Sequence, residues 1–267
     1  MSVSPSIAAR GGLVVALAAC GSVRSGTSDA AAPADTGPAD AWASSCAPAA
    51  LLTTVESADP GFGNACVHGA WFLQAFSGTS VPTASGRPDN TAPVVPTAIT
   101  IGTDPLDQSS TYAVHVSGAG QENTGTMFAY AQLTASLNAL TATQIGTVDV
   151  TAYTGVQFYA IVNVGATGAR FTVANLFTDP LGGRCTATPG QPNSCFDHPG
   201  LALAASTTWT KYQIPFASLT QVGFGNQSPL GAMFPKGAIT LVKWDIGIPS
   251  TGATPAWDVW VDDLTFY

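Results

Sequence analysis

Residues 155–164, GVQFYAIVNV, place Val156, Phe158, Ala160 and Val162 on one side of an extended chain and Gln157, Tyr159, Ile161 and Asn163 on the other. A two-residue period of this kind marks a half-buried β-strand, because successive side chains of a strand point to opposite faces. No segment of the 267-residue chain sustains the apolar period that a packed helix needs. Short β-type runs follow one another instead, at 50–56, 70–76, 98–101, 112–116, 127–133, 155–164, 170–178, 210–214, 239–248 and 257–266. Clusters of Gly, Pro, Asn and Asp separate them and supply the turn conformations. The Pro-rich stretch 77–96 reads as a loop, and 215–219 as a single helical turn. About ten strands with turn chemistry between them predict an all-β antiparallel sandwich of the jelly-roll kind.

Composition supports the absence of long helices. Glu occurs twice (Glu56, Glu122) and Lys three times, and exposed helix faces favour these residues. The formal charge is −8 with eight basic residues, so no basic stripe is available to neutralise phosphates, and nucleic acid is not expected as a partner. A surface this poor in charge is compatible with neutral ligands such as sugars.

Near the N-terminus Arg10 precedes GGLVVALAA, an apolar run of secretory-signal length that is too short to cross a bilayer as a helix. Leu17-Ala18-Ala19-Cys20 resembles the lipobox of bacterial lipoproteins. The resemblance implies a signal peptide over 1–19, a lipidated Cys20 and an exported protein anchored in the bacterial cell envelope, at the outer membrane or the cell surface. An ordinary secretory signal with small residues before its cleavage site is the alternative. Residues 21–45 are Ala, Gly, Ser, Pro and Asp with little to bury, which predicts a flexible tether before a folded domain over 46–267.

With Cys20 reserved for lipid, four cysteines remain, and an even number in an exported chain suggests two disulfides with three connectivities. Pairing sequence neighbours, Cys46–Cys66 and Cys185–Cys195, closes the shortest loops and is favoured. The second bridge would tie the base of the polar loop 182–200.

Four stretches together resemble the jelly-roll carbohydrate-binding modules of the galactose-binding-like superfamily, in particular the family 11 type. They are STYAVHVSGAG (110–120), VDVTAYTGVQF (148–158), TWTKYQIPFASL (208–219) and VWVDDLTF (259–266). In this order they cover roughly 50–267 and are more specific for fold than for ligand. The resemblance implies non-catalytic binding of a polysaccharide or other glycan. It also implies a structural calcium ion where the first and last strands meet, with Glu56 and Asp263 as ligands. Calcium needs six to eight oxygens, and a carboxylate in an apolar strand needs a cation or donors to offset its desolvation. The residue two before Glu56 is Thr54 rather than the acid of the family pattern, so that match is partial. Asp263 is expected to turn inward and Asp262 to face water. An alternative without metal has Asp263 accepting backbone hydrogen bonds at a bulge.

Sugar sites combine apolar walls with a few placed polar groups. Tyr159, with Gln157 and Asn163 on the polar side of its strand, and Trp244, flanked by Lys243 and Asp245, suit such a site. Tyr159, Trp244, Asp245 and Gln157 are therefore the expected ligand-binding residues, with Trp71 and Trp260 as further candidates. For each aromatic residue taken alone, burial in the core is the competing role. No GxSxG elbow, HExxH or phosphate-binding glycine pattern is present. The acids lie mostly in turn contexts, Asp179 and Glu122 being the two that merit inspection, so no catalytic residue and no organic cofactor is assigned. Two other classes stay open: a structural or protein-interaction lipoprotein on the same sandwich, and a glycoside hydrolase, which would need two facing carboxylates.

Overall fold

A computed structural model describes residues 51–53, 55, 61–64, 67–76, 92–93, 97–98, 111–123, 129–141, 144–165, 168–182, 184–188, 191, 193–248 and 250–267. The signal peptide, Cys20, the tether, Glu56 and the expected Cys46–Cys66 bridge lie outside the described residues. In chain order the strands are β1 (Leu51–Thr53), β2 (Gly61–Asn64), β3 (Val67–Phe76), β4 (Ala92–Pro93) and β5 (Thr97–Ala98). Next come β6 (Tyr112–Gly118), β7 (Tyr130–Ser136), β8 (Ala139–Thr141), β9 (Gln144–Ile145) and β10 (Gly155–Asn163). The series ends with β11 (Ala169–Asn175), β12 (Gly200–Leu203), β13 (Ser206–Pro215), β14 (Ile239–Ile246) and β15 (Trp257–Phe266).

These strands build two antiparallel sheets. The first runs β13-β10-β15-β6-β5, with β1 also pairing with β15; the second runs β12-β11-β14-β7-β3-β2, with β4 beside β3. Strands β8 and β9 form a separate two-stranded ribbon. The fold is thus the expected all-β antiparallel sandwich, and the described residues contain no α-helix. The first described strand joins the last: Leu51 lies opposite Thr265 and Thr53 opposite Leu264.

Alternation decides what fills the space between the sheets. Val156, Phe158, Ala160 and Val162 of β10 are fully buried, as their sequence period predicts. Phe171 and Val173 of β11, Val242 and Trp244 of β14, Leu133 and Ala135 of β7 and Trp71 of β3 meet them from the second sheet. Phe158 stands edge-on to Trp244 with ring centroids 5.0 Å apart, and Trp71 lies 5.7 Å from Trp244. Edge-on and tilted contacts set the positive rim of one ring against the negative face of another, adding to area burial.

Element ends depart from expectation for local reasons. Strand β11 stops at Asn175 rather than at Thr178, because the Asn175 side chain accepts the Phe177 N–H at 2.9 Å and its carbonyl accepts the amides of Thr178 and Asp179. This is an Asx turn, which competes with the ladder for the backbone. Strand β7 runs on past Leu133 to Ser136, where Thr134 and Ser136 continue its outward face. The helical turn expected over 215–219 is a 3-10 turn at Phe216–Ser218.

Candidate functional site on the outer face of the second sheet

The outward residues of the second sheet form a grid whose rows cross the strands. One row reads Arg170 on β11, Asp245 on β14, Gln132 on β7 and Gln74 on β3. The next reads Gly200 on β12, Thr172, Lys243, Thr134 and Phe72. A third holds Ala174, Leu241, Ser136 and Ala70. Neighbours along a row are about 4.8 Å apart and rows about 6.7 Å apart, the strand spacing and twice the residue rise. Strand ladders fix these positions more firmly than loops would.

Outward residues of an antiparallel sheet usually meet water, yet much of this grid is enclosed. Lys243 is 6% exposed, Thr172 3%, Thr134 4% and Ser136 1%. Thr172 Oγ1 donates to Asp245 Oδ2 at 2.9 Å, and Arg170 Nη2 donates to the Thr220 carbonyl. Glycine is required at 200: a Cβ there would come within 2.4 Å of the Phe171 carbonyl oxygen and 2.9 Å of Arg170 Nε.

The loop between β11 and β12 brings two more groups to this face. His198, two residues before outward Gly200, is buried, and its Nδ1 lies 2.9 Å from Thr178 Oγ1. Asp179 is buried and accepts the Thr240 hydroxyl at 2.8 Å. The expected Cys185–Cys195 disulfide forms within the same loop, with a Cα–Cα distance of 5.1 Å.

Enclosure sets the protonation of the cluster. Burial pushes the Lys243 amine below its ordinary range, opposed by the nearby carboxylates Asp245 and Asp179. Burial likewise raises Asp245, opposed by Lys243, by the Thr172 hydroxyl and by Arg170. His198 is held well below 6.5 by burial first and by the Lys243 charge second. Desolvation disfavours whichever form is charged, which is why acid and base move in opposite directions. No salt bridge joins Lys243 to Asp245 or Asp179 among the described residues, so both carboxylates act on it at longer range.

Five atoms on or beside the grid are buried without a hydrogen-bond partner: Gln132 Oε1, Thr134 Oγ1, Ser136 Oγ, Arg170 Nε and His198 Nε2. Orphaned polar atoms of this kind are scarce in folded proteins and each costs about 1–3 kcal/mol. Their concentration beside a buried Lys and a half-buried Arg leaves this face with unfilled hydrogen-bonding capacity of the kind that hydroxyl groups, which donate and accept in the same contact, match. Phe72, half-buried beside Thr134, supplies an apolar flank.

The four residues expected to bind ligand are split three ways. Trp244 is fully buried and points between the sheets, so it cannot line a ligand face; on β14 inward and outward residues alternate, and Trp244 takes the inward place. Asp245 takes the outward place and belongs to the grid. Tyr159 and Gln157 share a face, as expected, but it is the outer face of the first sheet. Tyr159 lies opposite Lys211 and Asp262, and Gln157 accepts a bond from Gln213 at 3.3 Å. Trp71 is core, whereas Trp260 is half-buried on the outer face of the first sheet, stacked on His115 at 3.8 Å. Arg170, Thr172, Gln132, Thr134 and His198 were not anticipated. Their signal in the sequence was the polar half of each alternating strand, Arg170 and Thr172 against Phe171 and Val173, and Lys243 and Asp245 against Val242 and Trp244.

The expected calcium pair falls partly beyond the described residues. Glu56 lies outside the described residues, and among those described no three His, Cys, Asp or Glu gather as a metal group. Of the two closing aspartates, Asp262, expected to face water, is the more deeply buried. Asp262 is 1% exposed, while Asp263 is half-buried with φ 51°. The pairings Gln157–Thr265 and Tyr159–Asp262 leave one extra residue in β15. A bulge of this kind resets alternation, and Asp262 Oδ1 accepts the Asp263 N–H at 2.8 Å.

No protein-family model matches the chain. No curated protein matches it either. Among solved structures, it is similar to a family 11 carbohydrate-binding module from Clostridium thermocellum, in complex with a β-1,3-1,4-mixed-linked tetrasaccharide: TM-score 0.46, 14% identity, 83% of this chain and 96% of that one. A family 30 carbohydrate-binding module matches with TM-score 0.34 and 14% identity, over 73% of this chain and 98% of that one. The enzymatically active domain of tailspike protein 4 from bacteriophage CBA120 matches with TM-score 0.34 and 12% identity, over 73% of this chain and 19% of that one.

Proposed function

We propose that this protein binds a polysaccharide without cleaving it, and that the outer face of the second sheet, centred on Arg170, Asp245, Gln132, Thr172 and Lys243, is where the glycan lies. The observation that carries this reading is the cluster of buried, unpartnered hydrogen-bonding atoms on a rigid ladder. A glycan hydroxyl would satisfy such an atom once the half-buried side chain of Gln132 or Arg170 turns to meet it. Arg170 and Lys243 are matched by Asp245 and Asp179, so the face suits a neutral sugar better than an anion. The four sequence stretches that resemble family 11 modules point to the same class of ligand.

In this reading the chain is held on the cell envelope through lipid on Cys20, which puts the binding face outside the cell on the tether of residues 21–45. Pull-down of the protein on insoluble and soluble polysaccharides tests the binding, and metabolic labelling with a fatty acid, with and without Cys20→Ala, tests the anchor. Retention on at least one polysaccharide is expected, together with label that the substitution removes. Failure to bind any glycan would return the chain to the class of structural envelope proteins.

A further inference from the structure

The described residues expose four large hydrophobic side chains: Phe196, Val222, Phe224 and Met233. Three of them sit on one clamp. The buried Asp197 carboxylate accepts the amides of Val222, Gly223 and Gly225 at 2.9, 2.7 and 3.3 Å. Asn226 N–H donates to the Ser194 carbonyl at 2.8 Å, and Ser194 Oγ donates to the Phe224 carbonyl at 3.3 Å. Gly225 is packed so closely that a Cβ would lie 2.6 Å from that Ser194 oxygen. Two loops that could have folded over their own apolar residues are instead locked together with Phe196, Val222 and Phe224 47%, 69% and 57% exposed. Phe196 also holds φ at 80°, a left-handed conformation unfavourable for a non-glycine residue and retained where the surroundings impose it.

This rim is continuous with the polar grid. The Phe196 ring stands edge-on to His198 at 6.4 Å, and His198 Nε2 is buried without a partner. From Phe196 the chain passes through His198 to Gly200 at the edge of the grid. Apolar ring faces and the hydroxyl-binding rows therefore follow in sequence along one edge.

We infer that Phe196 and Phe224 form a stacking platform for a sugar ring at the end of the binding face, so that the protein selects glycan chains long enough to reach from the Arg170–Asp245–Gln132 row to the rim. A sugar ring offers an apolar C–H face to an aromatic ring and hydroxyls at its edge, and this edge of the sandwich presents the complementary groups in that order. The inference rests on the glycan reading above and adds a length requirement to it.

The test is calorimetric titration with an oligosaccharide ladder cut from a polysaccharide that the wild-type protein retains. The wild type is compared with Phe224→Ala and with Phe196→Gly/Phe224→Ala. Glycine suits the backbone at 196, and matching melting temperatures show that the fold is kept. The double variant is expected to lose about tenfold in affinity for the longest oligosaccharides and to bind the shortest retained ones as the wild type does. Equal affinity at every length, or an equal loss at every length, overturns the platform and leaves the glycan reading in place. Capture of the wild type but not the double variant on phospholipid vesicles, with the ladder unaffected, would instead assign the rim to a lipid surface. If no polysaccharide retains the wild type, the glycan reading falls and the platform falls with it.

Discussion

Trp244 and Asp245 are chain neighbours on β14 that face opposite sides of one sheet: the indole lies in the core against Phe158, Phe171 and Trp71, and the carboxylate accepts the Thr172 hydroxyl on the outer face. One strand thus carries a residue of stability beside a residue of the proposed site. Trp244→Ala is expected to cost about 3–5 kcal/mol, as for other large buried aromatics, seen as a lower urea midpoint. Asp245→Asn is expected to leave the core intact and to weaken glycan binding about tenfold through loss of a charge-assisted acceptor. A Trp244→Ala protein as stable as the wild type would contradict this assignment.

His198 predicts acid sensitivity. Its pKa is depressed in the folded state by burial and by the Lys243 charge, so as pH falls below 6.5 the unfolded chain takes up a proton that the folded chain refuses. The stability contributed by this group is present above pH 6.5 and is lost on acidification, by about 1.4 kcal/mol per pH unit until the folded imidazole titrates. The gap in urea midpoint between pH 7 and pH 5 should therefore narrow in His198→Gln. Identical gaps in the two proteins would show that His198 is not held neutral.

The Cys185–Cys195 bridge closes a loop with a sequence separation of 10. Chain-entropy arguments give about 3 kcal/mol for a loop of this order. Cys185→Ser/Cys195→Ser should lower the melting temperature under oxidising conditions and abolish any effect of reductant that is traceable to this bridge. An unchanged melting temperature would mean that the Asp197 clamp alone fixes the loop.

The bulge in β15 rests on Asp263 at φ 51°. Asp and Asn tolerate this conformation, whereas a β-branched residue does not. Asp263→Val is expected to be about 1–2 kcal/mol less stable than Asp263→Asn, measured by chemical denaturation of the two variants. Equal stability would argue that the strand re-registers without the bulge.

How legible each part was in the sequence depends on how clean its alternation is. Strand β10 alternates apolar with polar or amphipathic residues apart from Ile161, and its buried face, Val156, Phe158, Ala160 and Val162, was readable at once. Strand β14, ITLVKWDI, carries apolar residues on both sides, so nothing local told whether Trp244 faced core or ligand. In β15 the bulge adds a residue that no composition rule announces, and Asp262 rather than Asp263 is the more buried of the pair. Strand β12, GLAL, is too short and too small to signal a strand; its ladder partner β11 creates it. The grid itself is a product of register. Arg170, Asp245 and Gln132 are far apart in the chain and meet in one row only because two ladders align.

The most direct test of that grid is native electrophoresis of the whole protein in gels containing soluble polysaccharides. Wild type, Arg170→Ala/Gln132→Ala on the second sheet and Tyr159→Ala on the first would be run side by side. The account predicts slowed migration of the wild type in at least one polysaccharide, retained by Tyr159→Ala and lost in Arg170→Ala/Gln132→Ala with an unchanged circular dichroism spectrum. Migration of the wild type unaffected by every polysaccharide, or slowed to the same extent in the Arg170→Ala/Gln132→Ala protein, would contradict it.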